Sequence, residues 1–293
     1  MKKTQESGQW TTVIKPKTSL FEVDLKELWQ YRDLISLFIK RNIITQYKQT
    51  ILGPVWFVVQ PALTVIMYMI VFGGIAGIPT DGVPRPLFYL AGTCMWHYFS
   101  ESLTKTSNTF VSNAGIFGKV YFPRLAVPIA DVLSNLVKFG IQFGFFLIIY
   151  AIYAFIGDSG ACFTWYAFLF PILLFMLAGL ALGFGVLVSA MTTKYRDLQV
   201  LFSFIVQLWM YATPIVYPLS KTASMRWCGI PVHTLMCLNP VTPIIETFKY
   251  GFLGCGAFVG WRWLIYSFVF MVVLLAFGVA VFNKVQKSFM DTV

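Results

Sequence analysis

Long stretches of this chain pass with hardly a charged residue, and that feature limits its fold more than any single motif. Leu, Ile, Val and Phe fill runs at 55–76, 87–104, 127–156, 164–189, 199–217 and 263–282, while Lys and Arg collect in the short segments between them. Over the whole 293 residues 58% are hydrophobic and 12% charged, against about 25% charged in an ordinary soluble chain. A soluble fold of this size could not cover so much apolar surface. Lipid is the simpler solvent, and a helix needs about 20 apolar residues to cross about 30 Å of hydrocarbon. The chain therefore reads as an all-α integral membrane protein of six transmembrane helices, the second and fifth only just long enough.

The sixth run holds thirteen Leu, Ile, Val or Phe and no charge, which at roughly −0.3 to −0.6 kcal/mol each favours insertion by about 4 to 8 kcal/mol. One mid-membrane charge costs about 3 kcal/mol, so Glu101, Asp131 and Lys138 need a reason to sit within the second and third runs. With six spans both termini share a side. Placing them in the cytoplasm puts sixteen of the 22 Lys and Arg residues there and five outside, with Lys138 inside a span, which is the positive-inside pattern.

Residues 1–53 form a separate cytoplasmic region, and 54–293 the membrane domain. Residues 1–19 read as a polar, basic tail. From Asp24, a helix cap with Glu27 three residues on, Leu28, Tyr31, Ile35, Phe38 and Ile39 recur at helical spacing, and Lys40, Arg41 and Lys48 decorate the rest. This is an amphipathic interface helix, either lying among lipid headgroups or also meeting a cytoplasmic partner. No cleavable signal of the usual form precedes it. The segment 218–262 is too apolar for a solvent loop yet broken by Pro231, Pro240 and Pro243. Two short re-entrant helices dipping into the outer leaflet would fit.

Several function classes drop out. The net charge of +10 comes without an arginine-rich or aromatic-interleaved face, which argues against nucleic acid. Cys94, Cys162, Cys228, Cys237 and Cys255 form no CxxC pair, and His97 and His233 are the only histidines, so no zinc site is expected; disulfide bonding among the last three cysteines stays open. There is no P-loop, no G-x-S-x-G and no H-E-x-x-H, so the chain reads as no enzyme and binds no nucleotide of its own. Energy for transport must come from an ion gradient or a partner.

Transport would need polar and aromatic residues on otherwise apolar helices. Tyr68, Tyr89, Trp96, Tyr98, Phe99, Tyr150, Tyr153, Trp209, Tyr211 and Tyr217 could offer ring faces to the C–H face of a sugar, although Tyr and Trp also gather at membrane interfaces. His97 and Glu101 share a helix face, as do Asp131, Asn135 and Lys138. Gly140/Gly144, Gly179/Gly183 and Gly256/Gly260 are G-x-x-x-G pairs, a weak sign of self-association. Residues 106–124 are too long for a tight hairpin and read as a short helix along the membrane surface, with 192–197 as a second charged contact on that side.

A series of motifs then becomes recognisable. Gly53-Pro54 with Trp56 and Gln60-Pro61, Asn113-Ala114-Gly115, Lys119-Val120-Tyr121-Phe122-Pro123-Arg124, Tyr195-Arg196-Asp197, Thr213-Pro214 through Pro218, and Asn239-Pro240 with Thr242-Pro243 and Glu246 resemble the permeases of ABC-2 type polysaccharide exporters, the O-antigen, capsule and teichoic-acid transporters. The likeness covers roughly residues 25 to 285. It implies a bacterial inner-membrane homodimer over two copies of a separate ATPase, which binds the ATP and Mg. It implies a coupling surface at Asn113, Ile116, Phe117, Lys119, Tyr121 and Arg124 with Tyr195 and Arg196, an interface helix with Tyr31, Arg32, Phe38 and Arg41, and outer re-entrant helices with Asn239, Pro240 and Glu246. The implied substrate is a glycan on a polyprenyl pyrophosphate lipid, passing along the aromatic residues. Lys40, Arg41, Lys48, Lys119 and Arg124 could draw its pyrophosphate, or membrane lipids, electrostatically. A drug or lipid exporter of the same architecture is the nearest alternative, and a gradient-driven transporter the next.

Overall fold

A computed structural model describes residues 25–48, 51, 53–117, 119–120, 122–156, 160–193, 195 and 197–289. The basic tail, Asp24, Tyr121 and Arg196 lie outside the described residues. In chain order the helices are α1 (Leu25–Gln30), α2 (Arg32–Tyr47), α3 (Trp56–Tyr68), α4 (Arg85–Ser107), α5 (Thr109–Phe117), α6 (Ala126–Ile156), α7 (Phe170–Thr192), α8 (Asp197–Tyr211), α9 (Val232–Leu238), α10 (Thr242–Leu253) and α11 (Trp261–Phe289). A two-stranded antiparallel hairpin, β1 (Arg226–Trp227) and β2 (Ile230–Pro231), precedes α9.

Four helical stretches among the described residues are long and apolar enough to cross a membrane, where six were expected: Gly53–Ile75, Ala126–Ile156, Trp165–Thr192 and Trp261–Val285. They coincide with the first, third, fourth and sixth apolar runs. The second run does form a helix, the 23-residue α4, but Arg85, His97, Glu101 and Lys105 keep it from being an apolar span. Its surroundings explain the composition. α4 packs against α3, α6, α7 and α10, so its side chains meet protein, and lipid does not select them. The fifth run fails by length. α8 is 15 residues long, about 22 Å at 1.5 Å per residue, and stops before Thr213-Pro214, where proline supplies no N–H to continue the ladder. The count of six thus falls to four among the described residues.

The segment 218–262 holds two short helices, α9 and α10, and α10 is buried along nearly its whole length, against residues 165–169, α4, α7 and α11. Only Cys237 of α9 is buried. Gly254 ends α10 in the left-handed region at φ 64°, with its N–H on the Tyr250 carbonyl at 3.0 Å; a Cβ there would meet the Cys162 carbonyl at 2.8 Å.

Two ends can be distinguished. At one, Phe38 of α2, Phe110 and Phe117 of α5, Phe122, and Phe282 of α11 share a cluster, with Phe110 stacked on Phe282 at 4.5 Å and Phe38 tilted against Phe122 at 5.7 Å. At the other, the Cys162 N–H reaches the Leu253 carbonyl at 3.0 Å, and the Ser220 hydroxyl donates to Asp81 at 2.9 Å. Between them, α7 and α11 close on each other through glycine. A Cβ on Gly278 would lie 2.8 Å from the Gly183 carbonyl, and one on Gly183 would lie 3.0 Å from Leu274 Cγ. The Gly179/Gly183 pair thus serves contact within the chain.

Candidate functional site

A cleft of about 680 Å³ lies between α4, α6 and α8. Trp96, His97, Glu101 and Lys105 line it from α4, Lys138 from α6, and Phe204, Gln207 and Tyr211 from α8. The spacing along α4 explains how one helix supplies such different groups. Positions 97, 101, 104 and 105 recur at three or four residues and share a face. Glu101 does not pair with His97, its neighbour on that face. It accepts a 2.7 Å bond from Lys138 Nζ, and Lys138 also sits 5.2 Å from the Phe57 ring centroid of α3.

Polar contacts continue from this cleft toward α2. Lys105 Nζ donates to Asn135 Oδ1 at 3.0 Å, and Asn135 Nδ2 donates to the Ser102 hydroxyl at 3.2 Å. One turn back along α6, Asp131 accepts from Asn42 Nδ2 of α2 at 2.7 Å. The predicted stripe of Asp131, Asn135 and Lys138 is therefore the face by which α6 holds both α2 and α4, and this is the reason those polar groups are tolerated in an apolar helix. A second cleft of about 520 Å³ opens beside it, lined by Arg41, Asn42, Lys105, Asn113, Ile116 and Asp131 among others.

Of the aromatic residues expected along a path, Trp96 and Tyr211 face the larger cleft. Tyr89, Tyr98 and Phe99 are enclosed by the chain's own helices. Phe99 and Trp96 pack on Trp209 at 5.4 and 6.5 Å, and Tyr68 donates to Met210 Sδ at 3.3 Å. Tyr150 and Tyr153 pack half-buried against the main core. Tyr217 bonds the Tyr211 carbonyl at 2.9 Å.

The residues expected to couple to an ATPase separate into two groups. Phe117, Asn113 and Arg124 are buried: Phe117 meets Phe110 at 5.9 Å, the Arg124 guanidinium lies 5.5 Å from the Phe117 ring, and Asn113 Nδ2 bonds the Thr109 carbonyl at 3.0 Å. Ile116 is half-buried at the second cleft, and Lys119 and Tyr195 are exposed. Along α5 and beyond it the outward face is Val111, Ser112, Gly115, Lys119 and Val120. On α2, Phe38 points inward with Tyr31 half-buried, while Arg32 and Arg41 are exposed, Arg41 lying 4.9 Å over the Phe38 ring.

Asn239, Pro240 and Glu246 come together with a residue that sequence reasoning counted only as a charge, Lys249. The Lys249 side chain is fully buried; its Nζ donates to Glu246 Oε1 at 3.1 Å and to the Pro214 carbonyl, and lies 4.0 Å from the Phe88 ring centroid. Asn239 Nδ2 donates to the Thr213 hydroxyl at 2.9 Å. The turn after α8 is thereby fastened to α10 and α4. The signal available in the sequence was the i, i+3 spacing of Glu246 and Lys249. Burial pushes the Cys237 and Cys255 thiols at this end up to about 12, and all five cysteines are free thiols.

Comparison with known proteins bears on what these features serve. The chain is 26% identical over 226 residues to an O-antigen export system permease protein, RfbA, of Myxococcus xanthus, covering 77% of this chain and 82% of that protein. It is 23% identical over 259 residues to RfbA of Klebsiella pneumoniae, covering 88% and 94%, and 20% identical over 258 residues to the polysialic acid transport protein KpsM of Escherichia coli, covering 86% and 93%. The sequence profile of the ABC-2 type transporter matches residues 33–253. That match takes in the cleft, the α5 surface and the Glu246–Lys249 pair together, and this multi-pass protein of the inner membrane belongs to the ABC-2 type transporter family as a membrane permease.

Proposed function

We propose that the chain is the permease subunit of an ATP-driven exporter that moves a polysaccharide, assembled on a polyprenyl pyrophosphate lipid, out of the cytoplasm. The observation that carries this reading is the likeness to polysaccharide export permeases along 77–88% of the chain. The cleft between α4, α6 and α8 supports it. Sugar rings have apolar C–H faces and polar edges. Tyr211 offers exposed aromatic surface, and Ser100, Thr104, Ser203 and Gln207 offer hydrogen-bonding groups.

Two identical subunits would work over two copies of a separate ATPase, which holds the ATP and Mg. The outward faces of α3 and α8, where Leu63, Met67, Val200 and Leu201 are exposed, would meet lipid and the second copy. The ATPase would dock on Val111, Ser112, Gly115, Lys119 and Val120, with Phe117 holding that face in place from beneath. ATP-driven movement of α5 as a rigid lever would then reach α4 directly, since only Asn108 separates the two helices.

Co-reconstitution with the ATPase encoded beside this chain tests the reading. ATP-dependent transfer of a lipid-linked glycan across the vesicle membrane is the expected result. ATP hydrolysis stimulated by a drug or a phospholipid and indifferent to the glycan lipid would overturn it in favour of a drug or lipid exporter. Lys119→Glu with Val120→Asp should lower glycan-stimulated ATP turnover at least about tenfold, the loss of one good interface contact or more, with the melting temperature unchanged. Phe117→Asp should lower the melting temperature itself, because it places a charge in the Phe110–Phe122 cluster.

A further inference from the structure

Residues 223–231 are exposed without interruption, and they include both strands of the hairpin. Arg226 pairs with Pro231 and Trp227 with Ile230, and the Val232 N–H reaches the Met225 carbonyl at 2.9 Å. Cys228 and Gly229 close the turn with φ of 49° and 81°, the doubly left-handed geometry of a tight two-residue hairpin. Side chains alternate along a strand, so Met225, Trp227 and Ile230 share one face and Arg226 takes the other. On the apolar face Trp227 is 68% exposed, Met225 53% and Ile230 47%. A lone two-stranded hairpin is marginal in water and needs an apolar face covered, and no described part of the chain covers this one.

The hairpin's level indicates what does. The spans Trp165–Thr192 and Trp261–Val285 both begin at this end, with Phe163, Trp165, Phe168 and Trp261 exposed around them, and tryptophan at the end of a span marks the headgroup layer. Tyr266, about 8 Å into α11, donates to the Leu238 carbonyl at 3.0 Å, so α9 ends on the hydrocarbon side of that belt. The helix α9 is seven residues long, about 10 Å, which leaves the hairpin near the belt whichever way α9 tilts. On its other flank the Ser220 hydroxyl donates to Asp81 at 2.9 Å, in the connection between α3 and α4.

Charge agrees with that level. No Asp or Glu lies between Asp197 and Glu246, and at this end Arg85, Lys221, Arg226 and Arg262 are exposed while Asp81 is half-buried. An apolar face beside an excess of cations matches the boundary between acyl chains and anionic headgroups. A second copy facing the hairpin across a two-fold axis would set Lys221 and Arg226 against like charges. We propose that the hairpin is a membrane anchor, with Met225, Trp227 and Ile230 among the headgroups and upper acyl chains, and Lys221 and Arg226 on the phosphates of anionic phospholipids. Asn239 Nδ2 joins the end of α9 to the Thr213 hydroxyl at 2.9 Å, so the anchor holds the end of α8 at a fixed depth. The assignment does not depend on what the permease carries.

Cys228 at the tip supplies the probe. In the full chain carrying Cys162→Ser it is the exposed thiol that remains among the described residues. That chain is spin-labelled in detergent and reconstituted into liposomes of phosphatidylcholine with phosphatidylglycerol. The label should collide more often with oxygen, which concentrates in acyl chains, than with a water-soluble nickel chelate, and this preference should shrink in phosphatidylcholine alone. Trp227→Ser should abolish the preference. Lys221→Gln and Arg226→Gln should each lower the ratio of immersed to free hairpin about fivefold in the anionic liposomes, and together remove the effect of phosphatidylglycerol. Nickel collisions exceeding those of oxygen in both liposomes overturn the anchor, and equal immersion in both overturns the phosphate contacts. Spectral broadening that vanishes on dilution with unlabelled chain would place a second copy at the tip and overturn the anchor as well. If the Trp227→Ser chain fails to fold, the Cys162→Ser chain still decides the question, because its hairpin is unaltered.

Discussion

Lys249 has no water to solvate it, and its ammonium is held by one carboxylate, one carbonyl and one ring face. A buried pair of this kind adds little net stability over an apolar pair of the same shape, but removing one partner strands the other charge at about 3 to 5 kcal/mol. Lys249→Met should therefore lower the melting temperature of the detergent-solubilised protein markedly, and Glu246→Leu combined with Lys249→Met should recover much of the loss. If the double variant melts no higher than the single one, Lys249 acts through the Pro214 carbonyl and Phe88 alone. Sequence reasoning found Glu246 through its motif and passed over Lys249, because a lysine in an apolar segment reads first as a boundary charge. Its fully buried position depends on α4 bringing Phe88, and the turn after α8 bringing Pro214, neither of which is near it in the chain.

At the scale of helices, the pairing of α7 with α11 depends on the absence of side chains at Gly179, Gly183 and Gly278. Gly183→Leu should drive Leu274 and the α11 backbone away and destabilise by about 1 to 3 kcal/mol or more, seen as a lower melting temperature or earlier aggregation on size-exclusion chromatography. Gly140→Leu on α6, where an added Cβ would have no atom within 4 Å, should be nearly neutral. The same G-x-x-x-G spacing thus has two outcomes. Spacing fixes which residues share a face, but not which helix comes to that face. The spans were legible where lipid sets the composition, as in α11, and were misjudged where protein does, as in α4. The end of α8 was written in Thr213-Pro214, yet the apolar residues that follow, Ile215 and Val216, belong to the core beside α4 rather than to lipid. The aromatic candidates illustrate the same point: Trp96 and Tyr98 are two residues apart, and only Trp96 reaches the cleft.

Over the whole molecule, exposed thiols report on how closely the end bearing α9 and α10 is packed. Cys162 and Cys228 are exposed, while Cys94, Cys237 and Cys255 are buried. Maleimide should modify two thiols per native chain and five after denaturation in detergent. Raising the pH does not change this expectation. The reactive species is the thiolate, and with Cys237 and Cys255 held up at about 12, only about one molecule in ten thousand is ionised there at pH 8. A third thiol reacting at pH 8 in the native protein would show that this end opens in solution.

The enclosure of α4 has a consequence for how the protein is made. A ribosome delivers α4 with Glu101 and Lys105 before either partner on α6 exists, and Lys138 follows Glu101 by 37 residues, about 2 to 7 s of synthesis at roughly 5–20 residues per second. During that interval Glu101 and Lys105, four residues apart on one face of α4, have only each other to pair with. The arrival of α6 exchanges that provisional pairing for Lys138 on Glu101 and Asn135 on Lys105, so a contact of the nascent helix is one that the finished protein no longer makes.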